Sequence, residues 1–171
     1  MSESNDLFTR EDPVFRDKEL LEINHLPDEG RIVGRDDEIG QLATAVNPGI
    51  FGQSPSNVLI YGKTGTGKSL CAKYVSRRLV ETAAEEGIVA AYAYVDCAQD
   101  TTETQTVQTI ASSLNTGDTE VYIPDKGIST ATYYKRLWRI LDGQSDVVLV
   151  LLDEIDQLED DDILMQLARA G

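Results

Sequence analysis

The sequence has little positive charge, few cysteines and no long apolar run. Its 171 residues carry 15 Lys and Arg against 30 Asp and Glu, which excludes a generally basic nucleic-acid surface and permits only a local basic face. No stretch reaches the roughly 18 apolar residues of a membrane span, and residues 1–11 lack the apolar core of a signal peptide. Cys71 and Cys97 have no CxxC spacing, which favours a reduced, intracellular chain. We therefore expect a soluble cytoplasmic protein that contacts no membrane.

The net charge of -15 has two possible explanations. One is a functional acidic tail, and the other is a solvated acidic surface adapted to high salt. The acids are spread along the whole chain rather than gathered at one end, and this spread favours a halophilic protein.

Apolar spacing along the chain predicts an α/β fold with a mostly parallel sheet, because strands alternate with helices. Residues 1–30 read as an N-terminal arm with a short helix near residues 17–23, and we expect the globular domain to begin at residue 31. Residues 47–56 are rich in Gly and Pro and predict a loop. The run 147–152 is the most apolar and predicts a central strand buried on both faces. Helices are predicted over 36–46, 68–86, 102–114, 129–141 and 158–170, and strands over 57–61, 88–96 and 147–152.

Residues 62–69 fit the phosphate-binding loop pattern G-x-x-x-x-G-K-[ST] at every defined position. The three glycines allow positive φ angles and a close approach to an anion, and successive N–H groups with the helix N-terminus then form an anion nest. Lys68 is predicted to contact the β- and γ-phosphates, and the Ser69 hydroxyl to bind Mg²⁺. The alternative, a glycine-rich turn that binds nothing, is less favoured because a predicted strand precedes the motif and a predicted helix follows it.

Two acidic residues follow the most apolar predicted strand. Asp153 is predicted to hold Mg²⁺ through water, and Glu154 to orient the attacking water as a base. Both would lie at the carboxyl end of a parallel strand, where ligands bind in open α/β sheets. The alternative is that both merely cap the next helix, and the presence of the phosphate loop makes this alternative the weaker one.

These motifs together resemble an AAA+ ATPase, and more narrowly the archaeal ORC-type DNA replication initiators. The resemblance rests on Asn57-Val-Leu-Ile-Tyr-Gly-Lys-Thr-Gly-Thr-Gly-Lys68, on Tyr92-Ala-Tyr-Val-Asp-Cys97, on the acidic run at residues 153–156 and on residues 124–129 followed by Tyr133. It implies a P-loop NTPase fold of three αβα layers. It further implies ATP or ADP with Mg²⁺ as cofactors, and origin DNA, the replicative helicase and other initiator copies as partners.

The resemblance also implies a nucleotide-binding set. The segment Arg31–Arg35 is similar to the AAA+ stretch that lies over the adenine, with Ile32 and Val33 suited to an apolar ring edge. An equally weighted alternative is that this segment only leads into the next helix. The cofactor-binding residues implied are Ile32, Val33, Gly62, Lys63, Thr64, Gly65, Thr66, Gly67, Lys68, Ser69 and Leu70.

Residues 126–139 contain the densest local basic group, which the resemblance implies as a DNA contact. Its aromatic and apolar members, including Tyr133, Leu137 and Ile140, share a helical spacing that favours a core role instead. We therefore predict core packing for these three and retain the basic side chains as a DNA hypothesis. The group consists of Lys126, Lys135, Arg136 and Arg139, interleaved with Tyr133, Tyr134 and Trp138.

Compared with the family pattern, residues 31–171 supply only part of an AAA+ base domain. The strand that should lie between the first and third is not found, nor are the fifth strand, the lid and the winged-helix domain. We expect a fragment that is poorly stable alone and hydrolyses ATP weakly or not at all. The alternatives to an ATP-dependent initiator are a generic AAA+ or signalling ATPase that acts on proteins, and an inactive nucleotide-binding module.

Overall fold

The computed structural model of the chain describes residue 32, residues 34–116 and residues 120–169. All of these except Ile32 belong to one unit, residues 34–171. The predicted arm over residues 1–30 lies outside the described residues, together with its short helix and the boundary predicted at residue 31. These features stay predictions.

Helices and strands alternate as expected from the sequence. Helices α1 and α2 begin at the predicted residues, while α5 is shorter than predicted because a 3-10 helix and a turn occupy residues 155–161. Thr102 and Ser129 cap α3 and α4 with their side chains, and each accepts a hydrogen bond from a backbone N–H three residues later. The elements are α1 (Asp36–Val46), a 3-10 helix (Asn47–Phe51), α2 (Lys68–Glu85), β1 (Ala90–Asp96), α3 (Glu103–Leu114), α4 (Thr130–Gln144), β2 (Val147–Asp153), a second 3-10 helix (Ile155–Gln157) and α5 (Asp162–Ala168).

Strands β1 and β2 form a parallel pair, which confirms the predicted strand direction. Ala90 lies opposite Val147, and the register runs without a break to Asp96 opposite Asp153. The pair brings the carboxyl ends of both strands to one edge of the sheet. Only Val147 of β2 is fully buried and its other residues are half-buried, so the prediction of a strand buried on both faces is wrong for the part of the chain that the structure describes.

The main core lies on the face of the sheet covered by α3 and α4. Ala93 and Val95 of β1 point into it, and Ile110 of α3 and Leu137 of α4 are fully buried against them. Tyr133 and Ile140 are 1% exposed, which confirms the core role predicted for them. Alternate residues of β1 therefore face this core, as the two-residue period of a strand requires.

Helix α2 covers the opposite face, which completes the three αβα layers. Its buried side includes Cys71, Tyr74 and Leu79, and the burial of Cys71 confirms that it is a small core residue. The first 3-10 helix approaches β2 closely at Gly49, where a Cβ atom would come within 3.1 Å of Val147 Cγ1. A glycine is therefore favoured at that crossing.

The strand predicted over residues 57–61 does not form. This segment has no strand partner among the described residues, and its side chains are exposed, with Leu59 at 74% and Tyr61 at 88%. A strand requires a neighbour to accept its N–H and C=O groups. Apolar, strand-forming residues alone were not sufficient to specify one.

Candidate phosphate-binding site

The glycine-rich loop ends at the first residue of α2. Gly62, Gly65 and Gly67 have φ angles of +151°, +76° and +81°, a region that disfavours side chains. A Cβ atom at Gly65 would meet no atom within 4 Å, so the space in front of the loop is open. Gly67 is the N-cap of α2 and offers no side chain to the first N–H groups of that helix. An anion is a suitable partner for them.

The Lys68 side chain folds back over this loop. Its ammonium group donates to the carbonyl oxygens of Gly62 and Lys63, at 3.1 and 3.0 Å. The Thr66 hydroxyl also donates to the Lys63 carbonyl, at 2.8 Å. The charge of Lys68 is thus held at the loop. Thr66 to Leu70 are half-buried and residues 62–65 exposed.

Arg35 is a second cation near the loop that the sequence reasoning missed. Its Nε lies 4.0 Å from the position that a Cβ atom of Gly67 would take, and its Nη1 donates to Glu38 Oε1 at 2.8 Å. The lowered pKa of Glu38 arises chiefly from a backbone hydrogen bond and then from this contact. The positive charge of Arg35 adds to that of Lys68 at the start of α2. Nothing in the sequence around Arg35, including its spacing of four residues from Arg31, indicated that it would lie near the loop.

Asp153 ends β2, and Glu154 follows in a left-handed conformation with φ of 51°. That conformation costs a non-glycine residue about 1–2 kcal/mol. Oδ1 of Asp153 accepts from the Glu154 N–H at 3.1 Å. Glu154 holds the N-cap position of the second 3-10 helix, but its carboxylate makes no capping hydrogen bond. The exposed carboxylate of Glu154 is thereby left at the carboxyl edge of the sheet rather than engaged by the helix.

Tyr94 is a further residue at this edge that the sequence reasoning did not single out. Its hydroxyl donates to Asp153 Oδ2 at 2.9 Å, and the Lys73 ammonium lies 3.5 Å from its ring centroid. Burial, and then the hydrogen bond to Asp153, raises the pKa of Tyr94 well above its usual range. The signal available in the sequence was the strand period, which places Tyr94 and Asp96 on one side of β1.

Two residues were predicted to contact the adenine, Ile32 and Val33. Ile32 is buried but belongs to a different unit from the loop, and Val33 lies outside the described residues. The roles of both stay predictions.

The basic group at residues 126–139 separates into two parts. Lys126, Lys135 and Arg139 are exposed, whereas Arg136 donates to the Tyr122 carbonyl. The aromatic members point inward: Tyr134 stacks on Trp138 with ring centroids 5.9 Å apart. The basic side chains, rather than the aromatic ones, are therefore available at the surface.

No helix in the described part of the chain is long and apolar enough to cross a membrane.

Comparison with known proteins gives consistent matches. A model of the AAA domain family matches residues 52–170. ORC1-type DNA replication protein 2 of Halobacterium salinarum is 50% identical over 165 residues, which are 96% of this chain and 62% of that protein. The chain therefore spans less than two thirds of the length of that relative.

Two solved structures are also similar. The Aeropyrum pernix ORC1 protein, solved in complex with DNA, has a TM-score of 0.77 and 31% identity, over 91% of this chain and 40% of that one. The Aeropyrum pernix ORC2 protein, solved as ADPNP–ADP complexes, has a TM-score of 0.67 and 25% identity over the same shares.

Proposed function

Because the chain belongs to the AAA domain family, we propose that it is part of an ORC1-type DNA replication initiator that binds ATP with Mg²⁺ and uses it as a switch. The 50% identity over 165 residues to an ORC1-type replication protein carries this proposal. The relative's halophilic source agrees with the acidic composition, and the -15 net charge is then a solvated surface adapted to salt.

The residues of the loop fit a nucleotide. The positive φ angles of Gly62, Gly65 and Gly67, the N–H groups at the start of α2 and the ammonium of Lys68 suit a polyphosphate. The Ser69 hydroxyl and the Asp153 carboxylate are oxygen donors of the kind that Mg²⁺ prefers. When bound, Mg²⁺ would neutralise charge developing on the phosphates. Lys63, Thr64, Thr66 and Leu70 line or flank the loop, and ADPNP and ADP in the similar ORC2 structure support this assignment.

Hydrolysis in the whole protein would depend on Glu154. Its carboxylate is exposed and free of capping bonds, so it could accept a proton from an attacking water. We propose this role for Glu154, with origin DNA, the helicase and other initiator copies as partners of the whole protein.

The nucleotide assignment is tested by measuring, with titration calorimetry in high salt, the affinity of the chain for a non-hydrolysable ATP analogue. Lys68→Ala should weaken binding by about 10- to 100-fold, since hydrogen bonds to charged groups contribute roughly 1.5–3 kcal/mol. The analogue at 100 times its Kd should stabilise the wild-type chain by about 2.7 kcal/mol in thermal unfolding. Arg78→Ala, which removes one positive charge from an exposed position of α2 outside the loop, is the matched control. Equal affinity of wild type and Lys68→Ala would contradict the proposal.

We also propose that Lys126, Lys135 and Arg139 contact DNA phosphates. They are exposed, and the similar ORC1 structure contains DNA. Fluorescence anisotropy of a labelled duplex across a salt series would compare the wild type with a variant in which Lys135 and Arg139 are both Gln. The salt slope should fall by about 0.9 for each phosphate that the variant no longer neutralises. An unchanged affinity and slope would remove this part of the proposal.

A further inference from the structure

Three side chains form a continuous link from α2 to the end of β2. The Lys73 ammonium lies over the Tyr94 ring, 3.5 Å from its centroid, and the Tyr94 hydroxyl donates to Asp153 Oδ2 at 2.9 Å. A cation over an aromatic face is attracted by the negative face of the ring, and a hydrogen bond to a carboxylate is among the stronger ones. The link thus joins a helix and two strands through directional contacts.

Strand geometry explains why these residues meet. Asp96 lies opposite Asp153 and Tyr94 opposite Leu151, and alternate residues of a parallel pair share one face. Tyr94 and Asp153 are therefore diagonal neighbours on the face that α2 covers. Lys73 follows Ser69 by four residues on α2, so the two lie on the same side of that helix, one turn apart. The helix that carries Ser69 is thus tied directly to the strand that carries Asp153.

Both oxygens of the Asp153 carboxylate are held by the chain. Oδ2 accepts from Tyr94 and Oδ1 accepts from the Glu154 N–H at 3.1 Å. Each carboxylate oxygen has two lone pairs, so each can still accept a hydrogen bond from a metal-bound water. The orientation of the carboxylate is fixed while its capacity for water is kept.

We propose that Tyr94 is the positioning residue for Asp153, and that Lys73 fixes the Tyr94 ring. Tyr94 and Lys73 together hold the Asp153 carboxylate at a constant distance from the helix that bears Ser69. They thereby determine the factor by which Mg²⁺ increases the affinity for nucleotide. This inference rests on the proposed nucleotide function, since it concerns the same site. Neither Tyr94 nor Lys73 contacts the nucleotide in this scheme.

The test compares the affinity for a non-hydrolysable ATP analogue in Mg²⁺ and in EDTA. Tyr94→Phe removes one hydrogen bond to a charged group, so the enhancement by Mg²⁺ should fall by about three- to tenfold, while the affinity in EDTA stays that of the wild type. Tyr92→Phe, two residues earlier on the same side of β1, is the matched control and should behave as wild type. Lys73→Met, which keeps the Tyr94 hydroxyl, should give a smaller loss of the same kind.

A double-variant cycle separates positioning from general stability. In the Asp153→Asn background, Tyr94→Phe should cause no further loss of the Mg²⁺ enhancement, whereas independent structural effects would add. If the Tyr94→Phe variant keeps the wild-type enhancement of affinity by Mg²⁺, this inference alone is overturned. Lack of any nucleotide binding by the wild type would overturn the proposed function and this inference with it. Circular dichroism melts in EDTA report whether each variant is folded.

Discussion

The two faces of the sheet are built differently. On the α3 and α4 face, Ile110, Leu137 and Tyr133 are at most 1% exposed, and both helices start at side-chain caps. On the phosphate-loop side, the segment 57–61 exposes Leu59 and Tyr61, and α2 starts at a glycine without a side-chain cap. On the α3 and α4 face the core is closed and the helix ends are capped. On the other face the first backbone N–H groups of α2 have no side-chain cap.

This difference shows what secondary structure requires. Residues 57–61 are as rich in strand formers as β1, yet only β1 has a parallel neighbour, β2, in the part of the chain that the structure describes. An extended segment without a partner cannot satisfy its backbone groups except with water. Burial and pairing, rather than local preference, therefore decided which apolar runs became strands.

The largest expected contrast is between a buried and an exposed leucine. Leu137→Ala should lower the free energy of unfolding by about 2–5 kcal/mol because it leaves a cavity in the core. Leu59→Ala, at a side chain 74% exposed, should change it by no more than about 0.5 kcal/mol. Urea unfolding followed by circular dichroism measures both. A similar loss in the two variants would mean that residues 57–61 are packed in solution.

A smaller effect is expected at the N-terminus of α3. Thr102 and Gln105 form a reciprocal capping box, with hydrogen bonds of 3.3 and 3.2 Å. Thr102→Ala should cost about 1 kcal/mol of stability in the same urea assay, because the N–H of Gln105 loses its acceptor. Ser113→Ala, at an exposed position of the same helix, is the control and should stay within about 0.5 kcal/mol of wild type. Equal values would show that the cap contributes nothing.

A pH dependence of the free energy of unfolding should distinguish the two cysteines. Burial, reinforced by Asp96, Asp100 and Asp153, raises the pKa of Cys97 from 9.0 to about 11. The folded chain therefore binds this proton more tightly than the unfolded chain, so the stabilisation is complete below pH 9 and is lost as the pH rises through 11. A shift of about two pKa units makes the full loss about 2–3 kcal/mol, of which about 1 kcal/mol falls between pH 9 and 10.

Cys97→Ala should flatten the fall in stability between pH 9 and 11, measured by urea unfolding at each pH. Cys71→Ala is the matched control, because the raised pKa of Cys71 is partly offset by Arg35, and it should flatten the curve less. The variants are compared by the slope of the free energy of unfolding against pH, rather than by its absolute value. A curve for Cys97→Ala parallel to that of wild type would contradict the assigned cause.

Much of the fold was predictable from local patterns. The apolar spacing of residues 36–46 and 68–86 predicted α1 and α2, and that of residues 129–141 predicted α4. The glycine-rich loop was predictable because its glycines and Lys68 match a motif of fixed spacing. Tyr94 and Arg35 were not, since their contacts to Asp153 and near Gly67 join residues distant in sequence.

The sequence by itself determined the αβα class, the phosphate loop at residues 62–69 and the acidic pair at 153–154, because each depends on neighbours along the chain or on a fixed motif. The tertiary structure alone decided that residues 57–61 form no strand among the described residues and stay exposed, since a strand exists only beside another strand. It also decided that Lys73, Tyr94 and Asp153 meet. The register of β1 on β2 and the position of α2 against the sheet bring them together, and packing rather than local preference sets both.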